Sequence, residues 1–291
     1  MYIDVWQTLF AKGFDDKKYL YHYTNIDKAI KIIHSNSLRF SSISTTNDTS
    51  EQKIKIHFPK NDTLNEELYN EKVKVISDYL KKHHPQFHLL CFSTDTKLTE
   101  KEKRSLMEKM SERKLYYDVT GRGFALPRMW AQYASNNEGV CFVINKEKLM
   151  KQIMSKVEVY KYQNVRYKKA FDNYILSKEK IDSLYKKISS NANGSMTLVN
   201  LFQKDDDFVK YNYFEKLDDW KNEQEFRILA YIDDPEYIMS IDDFNTYIEG
   251  VVIGEKIDPA YEKVIRKLIS EICKECSVKK ITFENYICRI I

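Results

Sequence analysis

The sequence predicts a single α+β domain, and three observations carry that prediction. Short aromatic or β-branched runs that read as strands are interspersed with segments of 3.6-residue periodicity. No internal repeat is present, and no Pro/Gly/Ser-rich linker divides the chain. Residues 145–215 are the most helical and least patterned stretch, which predicts a helical insertion between core segments at about 19–144 and 215–291. A chain of 291 residues, 43% hydrophobic and 13% aromatic, has apolar surface enough to fold.

The elements follow in order. Residues 4–10 predict a short helix and residues 19–23 an aromatic strand. Thr24 or Asn25 caps a helix whose Ile26, Ala29, Ile30 and Ile33 share one face. Residues 38–41 read as a strand and 44–50 as a loop. A helix over about 64–82 is ended by Pro85. Residues 87–92 form a buried strand opening into Ser93, Thr94 and Asp95. Thr99 and Glu102 make a capping box for a charged helix to about Arg113. A short helix after Pro127 carries Met129, Trp130 and Tyr133, and a strand over 140–144 follows. Residues 165–167 read as a strand and 189–195 as a loop. Strands are expected over 225–231 and 250–253. Asp258 and Pro259 start a last helix with Tyr261, Val264, Ile265, Leu268, Ile269 and Ile272 as its buried stripe. Strands near 280–283 and 287–291 close the chain.

Composition excludes several function classes. Only 7 glycines are present, against roughly 20 at a usage of about 7%, so folds that cradle phosphate on glycine-rich loops are disfavoured. No P-loop occurs, and Gly121-Arg122-Gly123 has Leu126 where a dinucleotide fingerprint needs its third glycine. The formal charge of +4 does not by itself point to nucleic acid. No apolar run is long enough to span a membrane, and the N-terminus lacks a signal-peptide pattern. The 5 scattered cysteines suggest a reducing cytoplasm and no disulfide framework. Cys273 and Cys276 form one C-x-x-C inside an amphipathic helical stretch, with no second pair to complete a zinc site. No metal is expected: Pro85 separates His83 and His84 from His88, and the Asp-Asp pairs read as turns and helix starts.

Four segments carry polar or aromatic groups beyond what packing asks for. In Tyr21-His22-Tyr23-Thr24, the histidine suits a ribose hydroxyl and the threonine an amide or phosphate. The plain reading is a capped strand–helix junction. Ser93, after Cys91-Phe92, can brace a carboxylate or merely cap its own turn. Trp130 and Tyr133 share one helix face, as core or as a stacking wall. In Trp220-Lys221-Asn222-Glu223-Gln224-Glu225-Phe226-Arg227, strand alternation puts Glu223, Glu225 and Arg227 on one face. Two such carboxylates repel, and Arg227 can supply a salt bridge. The plain reading is a solvated Glu–Glu–Arg ladder.

The order of these segments resembles the bacterial domain-of-unknown-function family 2971. The matching stretches are Leu38-Arg39-Phe40-Ser41, Asn47-Asp48-Thr49-Ser50-Glu51, Cys91-Phe92-Ser93, Met129 to Ala134, Gly139 to Phe142, Trp220 to Arg227, and Val251-Val252-Ile253-Gly254. Thr49 stands where that family usually has proline. Its layout is similar in turn to ADP-ribosyltransferase-like toxins, including those that modify DNA or RNA, although no strict Ser-Thr-Ser triplet is present.

That resemblance implies an ADP-ribosyltransferase-like split antiparallel β-sheet core with flanking helices and NAD as substrate. It puts the catalytic carboxylate at Glu225, an acceptor-orienting or acceptor-deprotonating role on Glu223, and a bracing role on Ser93. His22 and Thr24 would position the dinucleotide, and Tyr23, Trp130 or Tyr133 would stack on nicotinamide. Asn47, Asp48 and Glu51, with Arg227, would cover the site or read the acceptor. The implied setting is a cytoplasmic bacterial toxin or phage-defence effector. Its partners would be a nucleic-acid or protein acceptor and an operon-encoded protein, without a membrane. Two other classes stand beside it. One is a non-catalytic nucleotide- or partner-binding module of a defence system. The other is a metal-dependent nuclease built on the acidic pairs.

Overall fold

The computed structural model describes residues 18–60, 65–96, 99, 101, 121–170, 174–190, 194–234, 236–284 and 287–290. The helices expected at 4–10 and from Thr99 to Arg113 lie outside the described residues, Thr99 and residue 101 apart. The strands are β1 (Tyr19–Thr24), β2 (Leu38–Arg39), β3 (Ser41–Ser42), β4 (Ile56–His57), β5 (Phe87–Ser93), β6 (Val140–Asn145), β7 (Tyr160–Asn164), β8 (Arg166–Lys168), β9 (Tyr174–Ile175), β10 (Glu215–Leu217), β11 (Glu225–Tyr231), β12 (Ser240–Ile241), β13 (Ile248–Ile253), β14 (Ser277–Glu284) and β15 (Ile287–Ile290). The helices are α1 (Ile26–Ser35), α2 (Glu66–His83), α3 (Pro127–Tyr133), α4 (Lys146–Lys156), α5 (Lys178–Ser189), α6 (Gly194–Lys204), α7 (Asp206–Tyr213), α8 (Phe244–Tyr247) and α9 (Pro259–Ile272).

Nine strands form one mixed sheet in the order β15-β14-β13-β6-β1-β5-β11-β7, with β3 also paired to β5. The sheet is not purely antiparallel, because β13 and β14 run parallel. At its centre it opens. β1 meets β5 at one residue pair, Tyr21 opposite Ser93. β3 pairs with β5 further along, at Leu89 and His88. Between these points the His22 Nδ1 lies 3.2 Å from the Cys91 carbonyl oxygen, so the ring donates where a ladder bond would otherwise be.

Alternation in the strands divides the interior. Leu20, Leu90, Phe92, Phe142, Phe226, Ile228 and Val251 face one core, closed by α1, α4, α8 and α9. On the opposite face, Phe87, Leu89, Leu229 and Tyr231 pack under α2, α5, α6 and α7. Tyr19, Tyr21, Tyr23, Cys141 and Val143 pack under α3. Gly123 permits this last layer to close, since a Cβ there would stand 2.2 Å from the Tyr21 ring.

Local signals behave as their chemistry predicts. Asn25, rather than Thr24, caps α1 by accepting from the Lys28 N–H. Asp258 and Pro259 begin α9 as cap and first residue. The α9 stripe is narrower than expected: Ile265 and Ile269 are buried, while Tyr261 and Val264 are exposed. The stretch 145–215 is not a purely helical insertion, because it also supplies β7, β8 and β9, and β7 extends the main sheet beside β11. The C-x-x-C begins at the cap of α9, and Cys273 and Cys276 form a disulfide there. It staples one turn and is no framework.

Candidate functional site

Where β5 ends and β11 begins, between the two cores on that shared face, the apolar interior gives way to charge. Register sets the arrangement: Tyr21 lies opposite Ser93, and Ser93 opposite Glu225. Glu225 and Arg227 share a strand face, and all three residues of Phe226's neighbourhood are buried. Arg227 grips the Glu225 carboxylate with two prongs, Nε to Oε1 at 2.6 Å and Nη2 to Oε2 at 3.0 Å. Its Nη1 donates to the Tyr213 carbonyl at 2.8 Å.

A lysine that sequence reasoning missed completes the centre. Lys216 on β10 lies 2.9 Å from Glu225 Oε2 and donates to Glu223 Oε2 at 2.7 Å. Glu223 does not lie on the strand as alternation supposed. It ends a 3-10 turn, Asp218–Glu223, and Gln224 in the left-handed region (φ 48°) turns the chain into β11. The two carboxylates therefore converge on Lys216 from different backbone directions. The Tyr133 hydroxyl donates to Glu223 Oε1 at 2.7 Å, and the Glu225 N–H donates to the Tyr167 hydroxyl at 2.9 Å. The loop after β3 adds Glu51, whose Oε1 lies 2.5 Å from Arg227 Nη2 and whose Oε2 lies 3.9 Å from Lys216. A solvated ladder is excluded: Glu51, Glu223, Glu225, Lys216 and Arg227 are all buried.

Electrostatics follow from burial and pairing. Burial by itself raises the Glu225 carboxyl, but Arg227 and Lys216 outweigh it and hold the group well below the ordinary carboxylate range. Glu51 moves the other way, because burial outweighs the same two cations. Burial lowers the His84 ring to about 4, so it is neutral. Its Nε2 donates to the Glu51 carbonyl (3.1 Å), and Nδ1 accepts from the Tyr213 hydroxyl (3.4 Å). Burial also pushes the Tyr133 and Tyr167 hydroxyls above their ordinary values, with the neighbouring carboxylates adding to it.

The other expected residues divide. Ser93 is buried beside Glu225, yet its hydroxyl has no partner among the described residues. His22 and Thr24 alternate onto the opposite face from Glu225, with the His22 ring edge-on to Phe92 at 5.7 Å. Tyr23 and Trp130 are core residues: the Tyr23 hydroxyl donates to the Gly123 carbonyl (2.7 Å) and the Trp130 indole to the Phe124 carbonyl (2.8 Å). Tyr133 is thus the aromatic of the three that reaches the charged centre. Asp48 is buried and caps its own turn by accepting from the Ser50 N–H, whereas Asn47 is exposed. Lys216, Tyr167 and Tyr213 carried no sequence signal, since only the pairing of β10 with β8 and the packing of α7 bring them in. Among the described residues no His, Cys, Asp and Glu group is placed to hold a metal ion, and no helix is long and apolar enough to cross a membrane.

No curated protein and no solved structure matches the chain. Over residues 129–228, which contain Tyr133, Tyr167, Lys216, Glu223, Glu225 and Arg227, the chain is similar to the family described as "Protein of unknown function (DUF2971)".

Proposed function

We propose that the charged centre is the catalytic end of an NAD-dependent ADP-ribosyltransferase-like enzyme, a toxin or phage-defence effector that modifies a macromolecular acceptor. The observation that carries this reading is Glu225. It is a buried carboxylate kept ionised by Arg227 and Lys216, beside Ser93, at the point where the sheet opens between β1 and β5. Cleavage of the nicotinamide–ribose bond sends the bonding electron pair to nicotinamide and leaves an oxocarbenium-like cation on the ribose. A fixed anion next to the ribose hydroxyls stabilises that cation without reorganising. Arg227 positions Glu225 through its two-pronged bond. Lys216, bridging two carboxylates on a flexible stem, is the group to yield a carboxylate oxygen to a ribose hydroxyl. Tyr133 is the aromatic candidate for the nicotinamide ring. His22, on the opposite face, serves the opening of the sheet rather than the dinucleotide.

The compensated, buried pairing favours a second reading, in which the centre is a core clamp in a non-catalytic nucleotide- or partner-binding module. Nicotinamide release from NAD by purified protein separates the two, with DNA, RNA and cell proteins supplied as acceptors. Release that Glu225→Gln abolishes while the fold persists supports the enzyme. No release by folded protein with any acceptor overturns it in favour of the module.

A further inference from the structure

The main sheet ends at β7, and among the described residues no strand pairs with the outer side of β7. The register with β11 fixes which backbone groups that side presents. The Val159 carbonyl accepts from the Tyr231 N–H at 3.0 Å, and the Val165 N–H donates to the Glu225 carbonyl at 2.8 Å. Bonded residues alternate along an antiparallel pair, so Val159, Lys161, Gln163 and Val165 turn their backbone groups to β11. Tyr160, Tyr162 and Asn164 turn theirs outward. Tyr162, Gln163 and Asn164 are exposed, Tyr162 by 49%.

Proteins blunt an open sheet edge with proline, bulges or charge. β7 has no proline, its pairing with β11 runs without a shift of register, and Lys161 is its one charged residue. Lys161 is held in an ion pair with Asp206, on the sheet face opposite Tyr162. The Tyr160 and Tyr162 rings stack at 6.3 Å with an interplanar angle of 11°, and Tyr162 leans on Phe226 at 6.0 Å. The side chains beside the open backbone are therefore already ordered. Such an edge is a template for a further strand.

The pattern of β7 is complementary to itself. An antiparallel copy centred on Tyr162 sets Tyr162 opposite its own copy, Tyr160 opposite Asn164, and Lys161 opposite Gln163. The outward-facing residues Tyr160, Tyr162 and Asn164 then all fall in hydrogen-bonded pairs, and every one of their backbone groups finds a partner. Within the strand no lysine meets a lysine. Just beyond each end, Glu158 of one copy comes beside Arg166 of the other, and both side chains are exposed. Centring on Lys161 instead would oppose two lysines and leave Asn164 unpaired.

We propose that two copies of this chain join edge to edge through antiparallel β7 strands centred on Tyr162, making one sheet continuous across both. The pairing is independent of the transferase reading. A five-residue strand is far shorter than the roughly 20–30 residues a side of a standard interface, so the dimer is weak and concentration-dependent.

Sedimentation equilibrium of purified protein over about 1–200 µM should show the mean mass rising from monomer towards dimer. Gln163 is exposed, so its replacement leaves the fold intact. Gln163→Glu meets Lys161 at two symmetric points and should tighten the dimer roughly 2–30-fold, while Gln163→Lys should weaken it. Tyr162→Cys should cross-link to its own copy under mild oxidation, because a hydrogen-bonded pair sets its Cα atoms about 5.5 Å apart. Asn164→Cys, which faces Tyr160 of the copy, should not. A mass that stays monomeric throughout overturns the proposal. So does equal association by Gln163→Glu and Gln163→Lys, or cross-linking by Asn164→Cys in place of Tyr162→Cys.

Discussion

The two faces of the β5–β11 ribbon are both apolar along Leu89 and Leu229 but differ at the end where Ser93 meets Glu225. On one, Leu90, Phe92, Phe226 and Ile228 pack into a continuous apolar core. On the other, one residue along the same strands, Ser93, Glu225 and Arg227 lead into a web of charge. The apolar face is held by a non-directional force that tolerates small losses of shape. The polar face is held by partners that must all be present, since any one removed strands its neighbour without water. Regular strand alternation produces both faces, so the polar one reflects which residues the chain placed there.

This contrast can be broken in order of expected effect. Arg227→Ala removes the cation shared by Glu225 and Glu51. It should cost about 3–5 kcal/mol in urea unfolding, and the loss should vary with pH. Ile228→Ala, the adjacent residue on the apolar face, should cost about 2–5 kcal/mol with no change in pH dependence. A pH-independent loss in Arg227→Ala removes the distinction between the faces.

The acid limb of stability sharpens the same point. Glu225 has a folded pKa below its ordinary 4.5. Its contribution is therefore present above 4.5 and is lost as pH falls through the lower folded value. Glu225→Gln should flatten that limb in thermal melts. Glu51 works in the opposite sense, because a raised carboxyl loses stability as pH rises from 4.5 through its folded value. The smallest effect belongs to Tyr133→Phe, which removes one donor to Glu223 and should cost about 1.5–3 kcal/mol. A neutral result would place Tyr133 outside the web.

Much of the architecture was legible because its causes are local. Asn25 caps α1 through its own side chain, and the order Asp258-Pro259 starts α9 with a cap and a preset φ. The ion pair of Glu225 with Arg227 was legible too, since residues two apart on a strand share a face. The reading failed where neighbours in space decide. Residues 160–164 looked like part of a helical stretch, yet they form β7 because β11 has an open edge to pair with. Tyr23 and Trp130 looked like stacking groups, yet their polar atoms are spent on backbone carbonyls under α3.

The sequence by itself therefore determined the periodicities, the caps and the pairing of polar residues along one strand. Those depend on torsions and contacts within a few residues. Only the tertiary structure decided that Lys216 stands between Glu223 and Glu225, that Glu51 shares Arg227, and that His22 faces away from them. Such charges meet across long stretches of chain, and the cost of leaving any of them unpaired in the interior is what makes the meeting specific.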